Sequence, residues 1–293
     1  MKTTPQIFER PSFIPKFENC EYFKDKYIGL TGHRGILGSI LLRRLKESNV
    51  HVEPYPHDII DCERLYKWFK NHQFTHFFHF AAIVSINKVE KNILRAFKTN
   101  VIGTYNICEQ IMKTQNNCWF FFSSTSHIYQ PTGIKNIKKL SIDSPKALNS
   151  IYGETKLASE KLIKLIFRNC STDACIGRIF SFTSPTQKEP FLVPTIMRRV
   201  EEITNNAKLE VNNGDSIRDF MSAEVVIDCI LHLASKRFCG TLNIGSGEGK
   251  NVFKIAQEIV KLSNKNIKID VCNSNTPNAY IADVKDLKKI LSS

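Results

Sequence analysis

The chain has 293 residues, enough for one large α/β domain or for a domain with a smaller second lobe. Hydrophobic residues make up 42% of it and charged residues 24%, both ordinary for a globular protein. No apolar run approaches the roughly 20 residues that span a membrane, so no membrane partner is expected. The first 21 residues mix Lys, Glu, Pro and Phe without an apolar core and do not resemble a secretory signal.

The cysteines and the net charge narrow the class of protein further. Nine scattered cysteines without a C-x-x-C pair predict reduced thiols, a cytoplasmic location and no metal site. The net charge of +13 has two interpretations: an anionic partner such as nucleic acid or a phosphorylated small molecule, or lysines that solvate the surface. The basic residues are spread along the chain without interleaved aromatics, so the second is favoured and no nucleic-acid partner is expected.

Strands and helices alternate through the first two thirds of the chain. Residues 1–25, with three prolines and no helical period, are predicted to wrap on the surface or to be partly disordered. The predicted strands that follow are 27–31, 50–55, 75–80, 118–123 and 174–180, and the predicted helices are 36–47, 61–70, 88–112 and 151–168. Asp61 is expected to cap the second helix. The alternation predicts an α/β fold with a Rossmann-like, doubly wound parallel sheet and helices on both faces.

The regular alternation of strands and helices ends near residue 184, where several prolines predict a loop. Beyond it, the predicted helices are 194–205, 223–234, 253–262 and 284–291, and the predicted strands are 209–211 and 241–244. We therefore expect an N-terminal extension at 1–25, a dinucleotide-binding domain at 26–184 and a smaller, mostly substrate-binding lobe at 185–293. Within that lobe, 223–246 is expected to return to the main sheet.

A glycine-rich loop joins the first predicted strand to the first predicted helix and reads T-G-x-x-G-x-x-G from Thr31 to Gly38. Its first glycine permits a tight turn, its second lets a pyrophosphate approach the backbone at the positive end of the helix, and its third allows close helix–sheet packing. The strand–loop–helix context favours cofactor binding over an ordinary turn. The predicted cofactor contacts here are Gly32, Gly35, Ile36, Leu37 and Gly38.

A tyrosine and a lysine lie four residues apart at the start of the predicted helix 151–168. This spacing puts Tyr152 and Lys156 on one helix face, where the ammonium favours the phenolate and lowers the tyrosine pKa from about 10 towards neutral. Tyr22 and Tyr66 begin two more pairs of this spacing, but only Tyr152 follows a hydroxyl-rich strand end, at Thr125. A hydroxyl there can hold a substrate oxygen while Tyr152 transfers the proton; the alternative is a polar strand end in a turn.

With these residues assembled, the chain resembles the extended short-chain dehydrogenase/reductases, and within them the nucleotide-sugar epimerases, dehydratases and reductases, from about Tyr27 to Leu291. The resemblance implies a catalytic set of Thr125, Tyr152 and Lys156. It implies further cofactor contacts at Asp58, Ile59, Ala81, Ala82, Asn100 and Ser123, in addition to Tyr152 and Lys156. It also implies substrate contacts at Ser126, His127 and Arg218, with Arg218 holding the substrate diphosphate.

Departures from the family's motifs refine these expectations. Related 4,6-dehydratases carry an Asp-Glu pair directly after the catalytic Thr, where this chain has Ser126 and His127, which argues against dehydration. The acid that usually closes the second strand falls on Pro56, and Arg34 lies where an Arg serves NADPH in GDP-fucose synthases. Arg34 therefore favours NADP(H) over NAD(H), the alternative being a solvated loop charge. Glu53 is either a ribose ligand or a polar residue of an edge strand.

The resulting expectation is a nucleotide-sugar 4-ketoreductase or a combined epimerase/reductase. A C4 epimerase with tightly held NAD⁺ uses the same residues and is the first alternative. A non-catalytic dinucleotide-binding protein is an alternative of another class. By the same resemblance, helices 88–112 and 151–168 are expected to form a four-helix interface in a homodimer.

Overall fold

The computed structural model describes residues 7–18, 20–147 and 150–292. Its strands are β1 (Tyr27–Thr31), β2 (His51–Pro54), β3 (His76–His79), β4 (Trp119–Thr125), β5 (Thr132–Gly133), β6 (Asp173–Ile179), β7 (Ser181–Thr183), β8 (Lys208–Asn212), β9 (Ile217–Arg218), β10 (Phe220–Ser222), β11 (Gly240–Ile244), β12 (Lys250–Asn251), β13 (Lys268–Cys272) and β14 (Asn278–Tyr280). Its α-helices are α1 (Ile36–Glu47), α2 (Cys62–Lys70), α3 (Ile86–Lys91), α4 (Ile93–Phe97), α5 (Gly103–Thr114), α6 (Ile151–Ile166), α7 (Leu192–Glu202), α8 (Ala223–Ser235), α9 (Val252–Ser263) and α10 (Lys285–Ser292).

Six strands form the central sheet in the order β11-β6-β4-β3-β1-β2, and every neighbouring pair is parallel. The chain runs outward from β1 to β2 and then crosses to the other side of β1, which creates a topological switch point between β1 and β3. The predicted doubly wound, Rossmann-like sheet is therefore confirmed. In folds of this kind, ligands bind at the carboxyl ends of the strands beside the switch point.

The sheet is covered on both faces, and β4 shows why its sequence is apolar throughout. Trp119 and Phe121 point into the core that contains α1 and α8, whereas Phe120 and Phe122 point into the core beneath α2, α5 and α6. A strand buried on both faces cannot alternate apolar with polar residues. Polar residues begin only at its carboxyl end, where Ser123 starts the stretch that leads to Thr125.

The C-terminal lobe has its own core. Helices α7 and α9 pack with the parallel pair β8–β13 around Val193, Ile196, Val211 and Ile255. Strand β11 leaves this region and pairs in parallel with β6 in the main sheet. None of the helices in the described part of the chain combines the length and apolar character needed to cross a bilayer.

The segment 88–112, predicted to be mostly helix, is helical over most of its length but interrupted. The segment divides into α3, α4, a π-helical turn (Lys98–Ile102) and α5. Asn92 causes the first break, because its side chain accepts a hydrogen bond from the backbone N–H of Arg95 and so caps a new helix. The π turn carries Asn100, and such turns are frequent at functional sites.

Candidate functional site

The glycine-rich loop crosses the switch point, and two of its glycines are required by geometry. Gly32 has a φ of +76°, and a Cβ there would lie 2.6 Å from the backbone nitrogen of Ala81. A Cβ on Gly38 would lie 2.3 Å from the carbonyl oxygen of Gly32. The first turn of α1 therefore packs directly on the loop, and the backbone of Ala81, which follows β3, borders the same loop.

Gly35 is different, because a Cβ there would meet only the carbonyl oxygen of Gly32, at 3.2 Å. It is the N-cap of α1, and no side chain caps the helix there. The first-turn N–H groups of Ile36, Leu37 and Gly38 therefore face the open side of the loop. A free helix N-terminus with no side chain in front of it suits a phosphate group.

At the outer end of the loop, Arg34 is exposed and forms no ion pair within the described residues. Strand β2 ends at Pro54, directly after Glu53, so its last residue is not an acid. The carboxylate of Asp58 pairs with Arg95 and also accepts from the backbone N–H of Ile60 at 3.1 Å. Ile59 is buried, and its carbonyl accepts from the Asn106 amide at 3.1 Å.

A hydrogen-bond network links the end of β3 to α6. The Asn100 side chain accepts from the backbone N–H of Ile83 (2.8 Å) and donates to the Ile83 carbonyl and to Thr155 Oγ1 (both 3.0 Å). Ser159 Oγ and Thr104 Oγ1 donate to the Asn100 carbonyl at 2.8 and 2.6 Å. Asn100 thus ties the loop that borders the glycine-rich turn to the helix that carries Tyr152.

The carboxyl end of β4 meets the start of α6, and this brings two of the three predicted catalytic side chains into contact. Tyr152 lies in the first turn of α6. Ser150 caps this helix, because its hydroxyl accepts from the backbone N–H of Gly153 at 3.0 Å. The Tyr152 phenol lies next to the buried Thr125 side chain. Desolvation raises the pKa of Tyr152 to about 12, although the Thr125 hydroxyl opposes this rise. The phenol is therefore protonated at neutral pH.

Lys156 lies one helical turn beyond Tyr152 and is almost fully buried, with Nζ 4.1 Å above the centre of the Phe122 ring. Burial lowers its pKa to about 7, while the nearby Glu160 carboxylate opposes the shift. The expectation that Lys156 lowers the pKa of Tyr152 does not describe this structure. Helical spacing shows which groups are neighbours but not how strongly each is desolvated.

The predicted substrate contacts lie beyond Thr125. Ser126 is buried, and the His127 ring stands edge-on to Tyr152 with their centroids 6.0 Å apart. On its other side, 6.0 Å away, is the ring of Tyr280, over which the Arg218 guanidinium lies at 5.1 Å. The His127 side chain is partly exposed. Desolvation of its ring by the surrounding protein, together with the charge of Arg218, lowers its pKa. Within the described residues, Arg218 donates only to the carbonyls of Ile217 and Asn278 and has no acidic partner.

Sequence reasoning missed the role of Glu160. Its carboxylate accepts from Ser124 Oγ at 2.5 Å and pairs with Arg178 at 2.7 Å, and all three residues are buried. Arg178 also donates to Tyr129 Oη at 2.9 Å. The only sequence signal was the position of Glu160 four residues after Lys156. No cluster of His, Cys, Asp or Glu suited to a metal ion occurs among the residues that the structure describes.

Comparison with known proteins agrees with this architecture. The family model for GDP-mannose 4,6-dehydratase matches residues 31–291. The UDP-glucose 4-epimerase of Mycoplasma genitalium is 23% identical over 306 residues, covering 89% of each chain.

Among solved structures, RMD from Pseudomonas aeruginosa complexed with NADPH is similar, with a TM-score of 0.81 and 18% identity, over 91% of this chain and 92% of the other. UDP-glucose 4-epimerase from Thermus thermophilus in complex with NAD has a TM-score of 0.78 and 17% identity, over 90% and 92% of the two chains. At these identities the structures show the shared fold.

The family match covers nearly the whole of the part of the chain that forms the sheet and the lobe. The chain therefore belongs to the GDP-mannose 4,6-dehydratase family and is an enzyme of the extended short-chain dehydrogenase/reductase type, the class of nucleotide-sugar epimerases, dehydratases and reductases.

Proposed function

We propose that this enzyme is an NAD(P)-dependent reductase of a 4-keto nucleotide sugar, or a combined epimerase/reductase. The observation that carries the proposal is the proximity of the Tyr152 phenol to the buried Thr125 side chain, with the buried Lys156 one helical turn away. The raised pKa of Tyr152 keeps the phenol protonated. A protonated phenol is ready to donate to a carbonyl oxygen, which is what reduction requires.

The residues fit a nicotinamide dinucleotide. The uncapped first turn of α1, in front of Gly35, offers N–H groups to a pyrophosphate. Asp58, Ile59, Ala81, Ala82, Asn100 and Ser123 are proposed to border the rest of the cofactor. When bound, this cofactor supplies the hydride from its nicotinamide C4.

The chain's own residues then handle the proton and the oxygen. Thr125 holds the sugar carbonyl oxygen, and Tyr152 delivers its phenolic proton to that oxygen. Lys156 binds the ribose of the cofactor and, when protonated, stabilises the phenolate that remains. Neither Ser126 nor His127 provides the Asp-Glu pair that would eliminate water from the sugar.

Arg218 is proposed to hold the diphosphate of the substrate. Its guanidinium has no carboxylate partner in the described part of the chain, so its charge is available to an anion. The guanidinium lies 5.1 Å above the Tyr280 ring, and such a group can bind two phosphate oxygens at once. Nucleotide-sugar substrates carry this group, as the UDP-glucose 4-epimerase relatives suggest by their names.

For the cofactor, NADP(H) is favoured because Arg34 is exposed at the loop and the last residue of β2 is not an acid.

A second candidate function is a C4 epimerase that retains NAD⁺. The names of the similar proteins, which are UDP-glucose 4-epimerases, favour it.

The purified enzyme distinguishes the two functions. Mixed with a panel of 4-keto nucleotide sugars, a reductase consumes added NADPH, and the loss of absorbance at the nicotinamide band reports the rate. An epimerase instead carries nucleotide through purification and interconverts UDP-glucose and UDP-galactose without net consumption. Turnover of neither kind, with intact cofactor binding, would leave the non-catalytic binding protein as the explanation.

A further inference from the structure

The N-terminal segment 7–17, called the strap below, has no place in the reaction described so far. Its first residues pack on the C-terminal lobe. Ile7 is 8% exposed and belongs to the core of α7, β8 and α9, and the Phe8 ring stacks on Phe220 at a centroid distance of 4.9 Å and an angle of 17°. The strap therefore begins inside the lobe.

The other end of the strap is held by the main domain. Ile14 and Phe17 are buried in the core of α1 and α8. Asp228 of α8, with 1% of its side chain exposed, pairs with Arg10 at 2.6 Å and accepts from the Phe17 N–H at 3.0 Å. Arg44 of α1 pairs with the same carboxylate at 2.7 Å. Detaching the strap here would leave the buried Asp228 carboxylate without two of its partners, which is costly, so this end of the strap is firmly held.

The lobe end of the strap contacts Lys250, on the strand paired with Arg218, and Phe220, on the strand that follows Arg218 in the chain. Lys250 of β12 is the antiparallel partner of Arg218 in β9. Its ammonium donates to the Ile7 carbonyl at 3.1 Å and lies 5.2 Å above the Phe8 ring. Phe220, which stacks on Phe8, is two residues beyond Arg218.

We infer that the strap holds β9 and β12, the strand pair that contains Arg218, at a fixed position relative to the main domain. Phe8 then acts as a positioning residue for the diphosphate of the substrate. This inference rests on the proposed function of Arg218. A strap anchored at both ends keeps the binding-competent arrangement populated, and the apparent affinity of a ligand falls in proportion to any loss of that population. Phe8 packs on Phe220 and lies beneath Lys250, both in the lobe, so its removal is expected to leave cofactor binding unchanged.

The test compares Phe8→Ala with Phe8→Tyr, which keeps a stacking ring, and with Phe13→Ala, which removes a strap ring that lies under Lys288 instead. Affinity is measured calorimetrically for UDP, GDP and dTDP and, separately, for NADP⁺. Phe8→Ala should weaken the tightest of the three diphosphates about fivefold or more. Phe8→Tyr and Phe13→Ala should retain the affinity, and all variants should bind NADP⁺ equally well.

Hydrogen exchange of the amides at 217–218 and 250–251 provides a second measurement that needs no ligand. It should be faster in Phe8→Ala than in the other two variants. Unchanged diphosphate affinity in Phe8→Ala, or an equal loss for NADP⁺, would overturn the inference. If no diphosphate binds the unaltered protein, the proposed substrate class fails, and the exchange rates alone decide whether the strap orders these strands.

Discussion

The side-chain amide of Asn100 donates to the hydroxyl of Thr155 at 3.0 Å, and Thr155 donates in turn to the carbonyl of Tyr152 at 2.8 Å. Through these two bonds the π-helical turn fixes the first turn of α6. The same amide is bonded to both backbone groups of Ile83. One buried side chain therefore sets the distance between the loop beside the proposed cofactor and the phenol proposed to donate the proton.

The first prediction concerns that phenol. Tyr152→Phe removes one oxygen and leaves the ring packed, so the melting temperature and NADP⁺ affinity should barely change. Turnover of a 4-keto nucleotide sugar should fall, because a positioned acid–base group contributes typically about 10²–10⁴-fold in rate. Steady-state kinetics measures the loss.

Tyr66→Phe is the matched control, since Tyr66 also precedes a Lys by four residues but is 49% exposed on α2. It should be silent. Full turnover in Tyr152→Phe would remove the proposed mechanism and return attention to a different site.

The second prediction separates two glycines of one loop. Gly35→Val should abolish NADP(H) binding, because its side chain would occupy the space in front of α1, and should cost less stability than Gly38→Val, because its Cβ would lie 3.2 Å from the Gly32 carbonyl oxygen. Gly38→Val should instead destabilise the fold, because its Cβ would lie 2.3 Å from the carbonyl oxygen of Gly32. Fluorescence titration with NADPH and thermal unfolding measure the two effects. A Gly35→Val variant that binds NADPH normally would contradict the cradle assignment.

The third prediction concerns cofactor choice. Arg34→Ala should weaken NADPH binding and leave NADH nearly unaffected, because only NADPH has a 2′-phosphate for an exposed guanidinium to contact. The comparison is the ratio of the two dissociation constants in the variant and the unaltered enzyme. Equal losses for both cofactors would mean that Arg34 does not contact that phosphate.

Local signals in the sequence were sufficient for most of the secondary structure. Strand β1 and helix α1 have the predicted bounds, and Asp61 caps α2 by accepting from the backbone N–H of Arg64 at 3.1 Å. Apolar period and capping residues act over a few positions, so they can be recognised without tertiary contacts. Motif order then indicated Thr125 and Tyr152, which the structure brings together.

Long-range burial could not be predicted in the same way. Arg178 and Glu160 are 18 residues apart on a strand and a helix, and nothing local indicates that they form a buried pair. The lowered pKa of Lys156 has the same origin, because it arises from the protein packed around the ammonium. The π-helical turn that contains Asn100 could not be predicted either, because it leaves the helical period of the sequence almost unchanged.

The fourth prediction concerns the homodimer expected from the family resemblance. Helices α4 and α6 expose large apolar side chains, among them Leu94 (64% exposed) and Leu165 (69%). The family resemblance would place both side chains in the dimer interface, where a contiguous apolar patch is expected. The double variant Leu94→Glu/Leu165→Glu should therefore sediment as a monomer. Leu262→Glu on α9, where the leucine is 55% exposed, is the control and should leave the dimer intact. A monomeric unaltered enzyme would refute the expectation.

The last prediction is an acid sensitivity that originates at His79. Its Nε2 lies 2.9 Å from Thr104 Oγ1, whose own proton goes to the Asn100 carbonyl, so Nε2 carries the proton. Nδ1 then accepts from Thr31 Oγ1 at 2.6 Å. Burial, together with the charge of Lys156, lowers the pKa of His79 from 6.5 to about 3. The folded protein therefore holds a neutral imidazole down to strongly acidic pH.

An unfolded chain protonates His79 near pH 6.5, whereas the folded one does so only near 3. Between these values the unfolded state binds more protons, so the free energy of unfolding falls as the pH is lowered through this window and is unaffected by His79 above it. His76, whose burial lowers its pKa to about 4, adds to the same slope. His79→Gln keeps an amide donor and acceptor but cannot titrate. Urea unfolding at a series of pH values should therefore give this variant a shallower loss of stability below about pH 6.5 than the unaltered enzyme, even if it starts from a lower value. Parallel curves for the two proteins would show that His79 is not the group that destabilises the fold in acid.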